Sequence, residues 1–187
     1  FEYSWEKYKN DNIKKKILND NKRQIKRLTK LGKLSFILAK NEDVKNNLLK
    51  TMIKQKSRKY IESGYNMFAK TDFQKLYLNC KNDLGLFGKI HVSALLLDDK
   101  ILATHWCFYS KTTFYYIMPS YEGGDWSKFS PGKILLEYLM KWSVSNGLKV
   151  FDFTEGDMFY KKNWSNKNVY LYESIIANSF KGYIYIM

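Results

Sequence analysis

Residues 89–119 constrain the fold more than any other part of the chain. Three apolar, β-branched and aromatic stretches, KIHVSALLLDD, KILATHWCFYS and KTTFYYIMP, follow one another with only Asp98-Asp99 and Ser110-Lys111 as turns. Two-residue connections join antiparallel neighbours, so these stretches form a meander. The next element has a different period. Residues 131–146, PGKILLEYLMKWSVSN, place Ile134, Leu135, Tyr138, Leu139 and Trp142 on one helical face, and Gly147 stops the helix before the short apolar stretch KVFDF. A strand–helix–strand unit favours a right-handed parallel crossover. The sheet is therefore mixed, with one parallel pair joining Phe114 and Phe153 to an antiparallel body. Such a pair can splay at its carboxyl ends, beside a helix N-terminus, where ligands bind.

The remaining segments supply the layers. From Asn12 to Leu31, Ile13, Ile17, Ile25, Leu28 and Leu31 recur at helical spacing with lysines and arginines between them, which predicts an amphipathic helix with a basic outer face ending at Gly32. KLSFILA, residues 33–39, reads as a strand. A helix from an Asn41 cap to about Tyr60 carries Val44, Leu48, Leu49, Met52 and Ile53 inward, and a second fits 71–84 with Thr71 as its cap. Ser130 is the expected cap of the 131–146 helix, with Pro131 at its first position. NVYLYESIIA reads as a further strand and GYIYIM as an edge strand. The class is α/β, divided into a basic helical segment, 1–32, and a domain over 33–187.

Charge is unevenly spread. Residues 1–70 hold 19 Lys/Arg and 7 Asp/Glu, a net of +12, while residues 71–187 hold 13 and 11, a net of +2. The field of the first third attracts polyanions such as nucleic acid, anionic lipid or a phosphate-rich donor, or it is simply a solvated lysine-rich face. No apolar run approaches the roughly 20 residues of a membrane-spanning helix, and the expected location is cytoplasmic. Cys80 and Cys107 sit in no metal spacing, and two isolated histidines, His91 and His105, predict no metal site. Residue 1 is Phe, so a preceding segment is expected.

Three stretches carry a resemblance to a known family. KNDNIKKKILNDNKRQIKRLTKLGKLSF is a basic helix ending in glycine before a strand. FSPGKILLEYLMKWSVSNGLKVFDFTEGD joins a Ser-Pro-Gly helix start to an Asp-Phe strand end and a Gly-Asp, and FYKKNW supplies a Tyr-Lys followed by an aromatic. In this order they resemble the GNAT (acyl-CoA N-acyltransferase) fold, specifically the CelD-like, cellulose-biosynthesis-protein-like branch related to Fem-type peptidyl transferases. The resemblance implies an acyltransferase that moves an acyl group from acyl-CoA to an amine on a small molecule, a sugar or a cell-envelope precursor. It also implies a preceding GNAT-like domain. A Fem-type transferase using aminoacyl-tRNA is the first alternative. A non-catalytic GNAT-fold module binding nucleic acid or protein is the second.

The chemistry selects residues. In this family the donor's pyrophosphate rests on N–H groups at the start of the central helix, which here would be Gly132, Lys133 and Ile134 after Ser130. The family's loop carries Gln or Arg, two residues, then Gly-x-Gly or Gly-x-Ala, whereas this chain has only Ser130-Pro131-Gly132-Lys133 there. Asp152, at the exit of the strand after that helix, can take the proton of the attacking amine, or it can simply close the following turn. Tyr160 can return a proton to the leaving thiolate, or be a packed aromatic. Lys161, matching the Fem-type lysine, can stabilise an oxyanion or a phosphate, or be a surface lysine paired with Asp157. Tyr121, Trp126, Asp157 and His105 are candidates to line the acceptor pocket.

Overall fold

A computed structural model describes residues 4–176, Asn178 and Ile184 of the 187-residue chain. The basic N-terminal region forms two helices: α1 (Trp5–Asn12), capped by Ser4, and α2 (Lys15–Leu28). The helix expected from Asn12 to Leu31 is α2, which starts only at Lys15 because Ile13 is buried with an extended backbone (φ −109°), and α1 before it was not expected. α2 exposes Lys15, Lys16, Lys22, Arg23, Lys26 and Arg27 and turns Leu28 into the core. Leu31, expected on the inner face, lies beyond the helix end and is exposed.

β1 (Leu34–Leu38) leads to α3 (Glu42–Glu62), where the Asn41 side chain accepts from the Val44 N–H as expected. α4 (Thr71–Leu78) starts after Lys70 without a side-chain cap, one residue from the predicted position, and stops six residues short of Leu84. Then come β2 (Lys89–Leu97) and β3 (Lys100–Tyr109), joined at Asp98-Asp99 with Asp98 left-handed at φ 49°. The third meander strand is two pieces, β4 (Thr113–Tyr115) and β5 (Met118–Tyr121), interrupted at Tyr116 and Ile117. A 3-10 segment over Gly124–Phe129 precedes α5 (Pro131–Ser145), and Gly147 at φ 74° ends the helix before β6 (Val150–Asp152) and the four-residue α6 (Phe159–Lys162).

The sheet runs β1-β2-β3-β4-β6, with β5 also on β3. Every pair is antiparallel except β4 with β6, the predicted parallel crossover. α5 covers one face and α3 the other, so two apolar layers flank the sheet: one around Leu102, Phe114, Ile134 and Leu139, the other around Leu49, Met52, Phe68 and Tyr77. α1 and α2 close the first layer. The Tyr8 hydroxyl donates to the Trp164 carbonyl at 2.8 Å, and Asn21 Nδ2 donates to the Lys133 carbonyl at 3.2 Å and to Glu137 Oε2 at 2.8 Å.

The strand expected over 168–177 does not form. Residues 168–176 run exposed without strand pairing, and Val169, Tyr170, Leu171 and Tyr172 all stand in solvent, so neither parity of the segment has a buried face to fix a register. The expected edge strand at 182–187 lies, apart from Ile184, outside the described residues.

Candidate active site

The parallel pair opens where the meander strand breaks. β6 runs beside β4 through Thr113–Val150, Phe114–Phe151 and Tyr115–Asp152, and the ladder closes with the Tyr116 N–H donating to the Asp152 carbonyl at 2.7 Å. Past that bond β5 continues on β3 alone, while residues 153–158 turn away through Thr154 at φ 56° and Gly156 at φ 104°. Among the described residues no backbone hydrogen bond joins β5 to this loop, which leaves a gap in the sheet's bonding there. Gly156 is needed there, because its left-handed backbone is strained for any side chain.

Asp152 closes the turn and lies near enough to Lys161 to act on its charge. Its Oδ1 accepts from the Thr154 N–H at 2.7 Å, and the Thr154 hydroxyl reaches across to the Tyr116 carbonyl at 3.2 Å. Lys161 folds back from α6, so that its Nζ donates to the Glu155 carbonyl at 2.5 Å. Partial burial pulls the Lys161 pKa down, and the carboxylates of Asp152 and Glu155 oppose that shift. The ion pair expected between Lys161 and Asp157 is made instead by the next residue, with Lys162 Nζ 2.8 Å from Asp157 Oδ1. Consecutive side chains on a helix point about 100° apart, so Lys161 lies back over the 155–156 turn while Lys162 is exposed. Asp157 is exposed with it.

Three tyrosines meet at the gap. Tyr116 is buried and shares a hydrogen bond with the half-buried Tyr160, and Tyr121 lies close enough to both to raise their pKa values electrostatically. Burial is the main cause of the rise in each, so both phenols keep their protons through neutral pH. Tyr160 is therefore both a packed aromatic and a protonated hydroxyl facing the gap.

The start of α5 departs from the expected cradle. Ser130 is left-handed at φ 51° and makes no side-chain cap; its carbonyl instead accepts from the Lys133 N–H at 3.0 Å and the Ile134 N–H at 3.3 Å. Those two donors are spent inside the helix, and the Ile134 side chain is in the core. Only the Gly132 N–H is left without an acceptor among the described residues. The Tyr121 ring approaches this glycine so closely that an added Cβ would lie 3.1 Å from its Cδ1. Lys133 exposes its ammonium.

Of the other acceptor-pocket candidates, Trp126 is half-buried against Phe129 with the Lys100 ammonium over its ring at 5.3 Å. His105 sits in mid-sheet, fully buried, stacked on Tyr116 at 4.7 Å. The sequence reading missed Lys56 and Arg58. They reach from α3 to the β5 backbone, where Lys56 Nζ donates to the Pro119 carbonyl at 3.1 Å and an Arg58 Nη to the Tyr121 carbonyl at 3.0 Å. Arg58 also pairs with Glu62. No local motif marks these two residues; only the packing of α3 under β5 does.

Comparisons with known proteins give the chain's lineage. The family model described as an acetyltransferase (GNAT) domain matches residues 15–162. Among solved structures, the chain is similar to a GNAT family acetyltransferase from Staphylococcus aureus subsp. aureus USA300_TCH1516, at 16% identity and a TM-score of 0.47, covering 76% of this chain and 98% of that one. It is also similar to an aminoglycoside acetyltransferase from an uncultured soil metagenomic sample, determined in complex with trehalose, at 18% identity and a TM-score of 0.43, covering 76% and 97%. No curated protein matches the chain.

Proposed function

Because the chain belongs to the acetyltransferase (GNAT) family, we propose that it transfers an acyl group from acyl-CoA to an amine at the gap between β5 and residues 153–158. The observation that carries the placement is the ladder ending at Asp152, with Lys161, Tyr160 and Tyr116 gathered at that end. The amine nitrogen attacks the thioester carbon, a C–N bond forms, and the C–S bond breaks. Asp152 accepts the proton that the amine sheds, and Tyr160, protonated through its burial, gives one to the departing thiolate. The Lys161 ammonium faces the negative charge that develops on the carbonyl oxygen. For the donor's phosphates the chain offers the Gly132 N–H and the Lys133 ammonium, a smaller cradle than three N–H groups. In this reading Tyr121, lying on Gly132, stands at the phosphate end, and Trp126 and Asp157 are the candidates for the acceptor end. The acceptor in this reading is an amine on a small molecule, a sugar or a cell-envelope precursor.

A second reading rests on the exposed basic face of α2. It uses an aminoacyl ester of tRNA as the donor at the same gap. One experiment tests both. The protein is incubated with acetyl-CoA and a panel of amines while free thiol is followed, and tRNA retention is measured in parallel across salt concentrations. The proposal expects amine-dependent thiol release. Salt-dependent tRNA retention without thiol release would replace it with the second reading, and neither signal would leave a binding module.

A further inference from the structure

The centre of the sheet holds a polar cluster that acyl transfer does not use. The β2–β3 register sets His91 opposite Cys107 and Ser93 opposite His105. Side chains alternate along a strand, so these four residues form a square on one face. That face is the one covered by α5: the His91 ring lies 4.4 Å from Trp142, and His105 stacks on Phe114 at 5.6 Å as well as on Tyr116. All four are buried, three of them completely.

Buried polar groups nearly always find partners, and leaving one without costs about 1–3 kcal/mol. Here neither nitrogen of His91, neither nitrogen of His105 and not the Ser93 hydroxyl has a partner among the other described residues. His91 is offered a bond only by its own backbone and His105 none, so two imidazoles side by side in an aromatic core carry a large cost with little return. The arrangement makes sense if something else takes their lone pairs. One ligand atom from each of His91, His105 and Cys107 lies within 4.8 Å of the other two. In a tetrahedral zinc site, with metal–ligand bonds of roughly 2.0–2.3 Å, ligand atoms sit about 3.5 Å apart. Side-chain rotation of roughly one ångström closes the difference.

We infer that His91, His105 and Cys107 form a buried binding site for one thiophilic divalent cation, zinc by the chemistry of its donors. Two imidazoles and a thiolate match zinc's preference for nitrogen and sulfur, and Ser93 Oγ stands beside the fourth position as a hydrogen-bond partner for whatever fills it. Burial keeps both imidazoles neutral, with His91 pushed down to about 3, and the Lys56 charge further disfavours protonation of His105. Neutral imidazole is the ligating form. The Cys107 thiol, raised by burial, loses its proton to solvent as the metal binds during folding. Held by buried side chains, the ion serves structure. It ties β2 to β3 beneath α5 and, through the stack of His105 on Tyr116, steadies the hydroxyl that meets Tyr160.

The test uses the full chain unfolded with a chelator, then refolded with zinc or with cobalt as a spectroscopic substitute. After dialysis the protein is expected to retain about one metal per chain, and the cobalt form to show a thiolate-to-metal charge-transfer band. That band is lost in Cys107→Ala and kept in Cys80→Ala. Should Cys107→Ala fail to fold, the stoichiometry and band of the parent still decide. Retention below about a tenth of an equivalent, or a cobalt form without a thiolate band, overturns the inference, as does a band that survives Cys107→Ala and disappears in Cys80→Ala.

Discussion

The centre of the sheet and its open end satisfy polar groups in opposite ways. At the centre, His91, Ser93 and His105 are buried and lack partners among the other described residues. At the end, Asp152, Thr154, Lys161 and Lys162 are half-buried or exposed, and each has one. Burial makes an unmet hydrogen bond expensive, so the centre demands an additional ligand. Solvent makes it cheap, so the bonds at the end add little to stability. The bonds there hold Lys161 and Asp152 on one turn beside Tyr160, the place where the proposed function puts the reaction.

Substitutions in the two regions should therefore move different quantities. The largest stability loss is expected at the centre. Phe114→Ala removes a fully buried ring that His105, Trp142 and Phe151 all touch, and should cost about 3–5 kcal/mol in urea unfolding. A cost below about 1 kcal/mol would mean that the core closes over the loss and the centre is not tightly packed. Next is the anchor of the open end. Tyr8→Phe deletes the bond to the Trp164 carbonyl and should cost about 1–2 kcal/mol. Turnover at saturating substrate should then change little, because Tyr160 and Lys161 stay in place. If turnover instead falls as steeply as stability, the two regions are not separable.

The smallest stability effect is expected from Lys161→Met, within about 1 kcal/mol of the parent, since a partly exposed lysine contributes little to folding. The pH profile sharpens the same contrast. A lysine whose pKa is lowered in the folded protein loses its charge before free lysine does. If protonated Lys161 is required, turnover should decline on the alkaline side below about pH 10.5. Lys161→Arg should push that limb upward, because guanidinium keeps its proton. An alkaline limb unchanged by the substitution would remove Lys161 from the reaction.

How much of this was legible in the sequence follows from how local each signal is. The turn at Asp98-Asp99, the Asn41 cap, Gly147 after α5 and the parallel return of β6 each rest on a few adjacent residues, and all are in the structure. The split of the third meander strand was not legible, because FYYIMP is uniformly apolar and aromatic across the break. Ser130 was read as a side-chain cap from its residue type, whereas its left-handed backbone turns the carbonyl to that role. The exchange of Lys161 for Lys162 in the pair with Asp157 turns on a single helical residue. His91 and His105, fourteen positions apart, look isolated along the chain. The register set by the turn at 98–99 alone would put His91 opposite Trp106, on the other face from His105 and Cys107; the register shift between Leu95 and Leu96 brings the three to one face, and no local signal in the sequence marks that bulge.

The central claim is that acyl transfer occurs where the ladder ends at Asp152. Steady-state kinetics of Lys161→Met and Asp152→Asn, run beside thermal unfolding of each, test it most directly. Each variant should unfold within a few degrees of the parent and lose about a hundredfold in turnover, the scale of removing one well-placed group at a developing charge. Turnover within a few-fold of the parent in both variants, with folding intact, would contradict it and leave this loop a solvated turn.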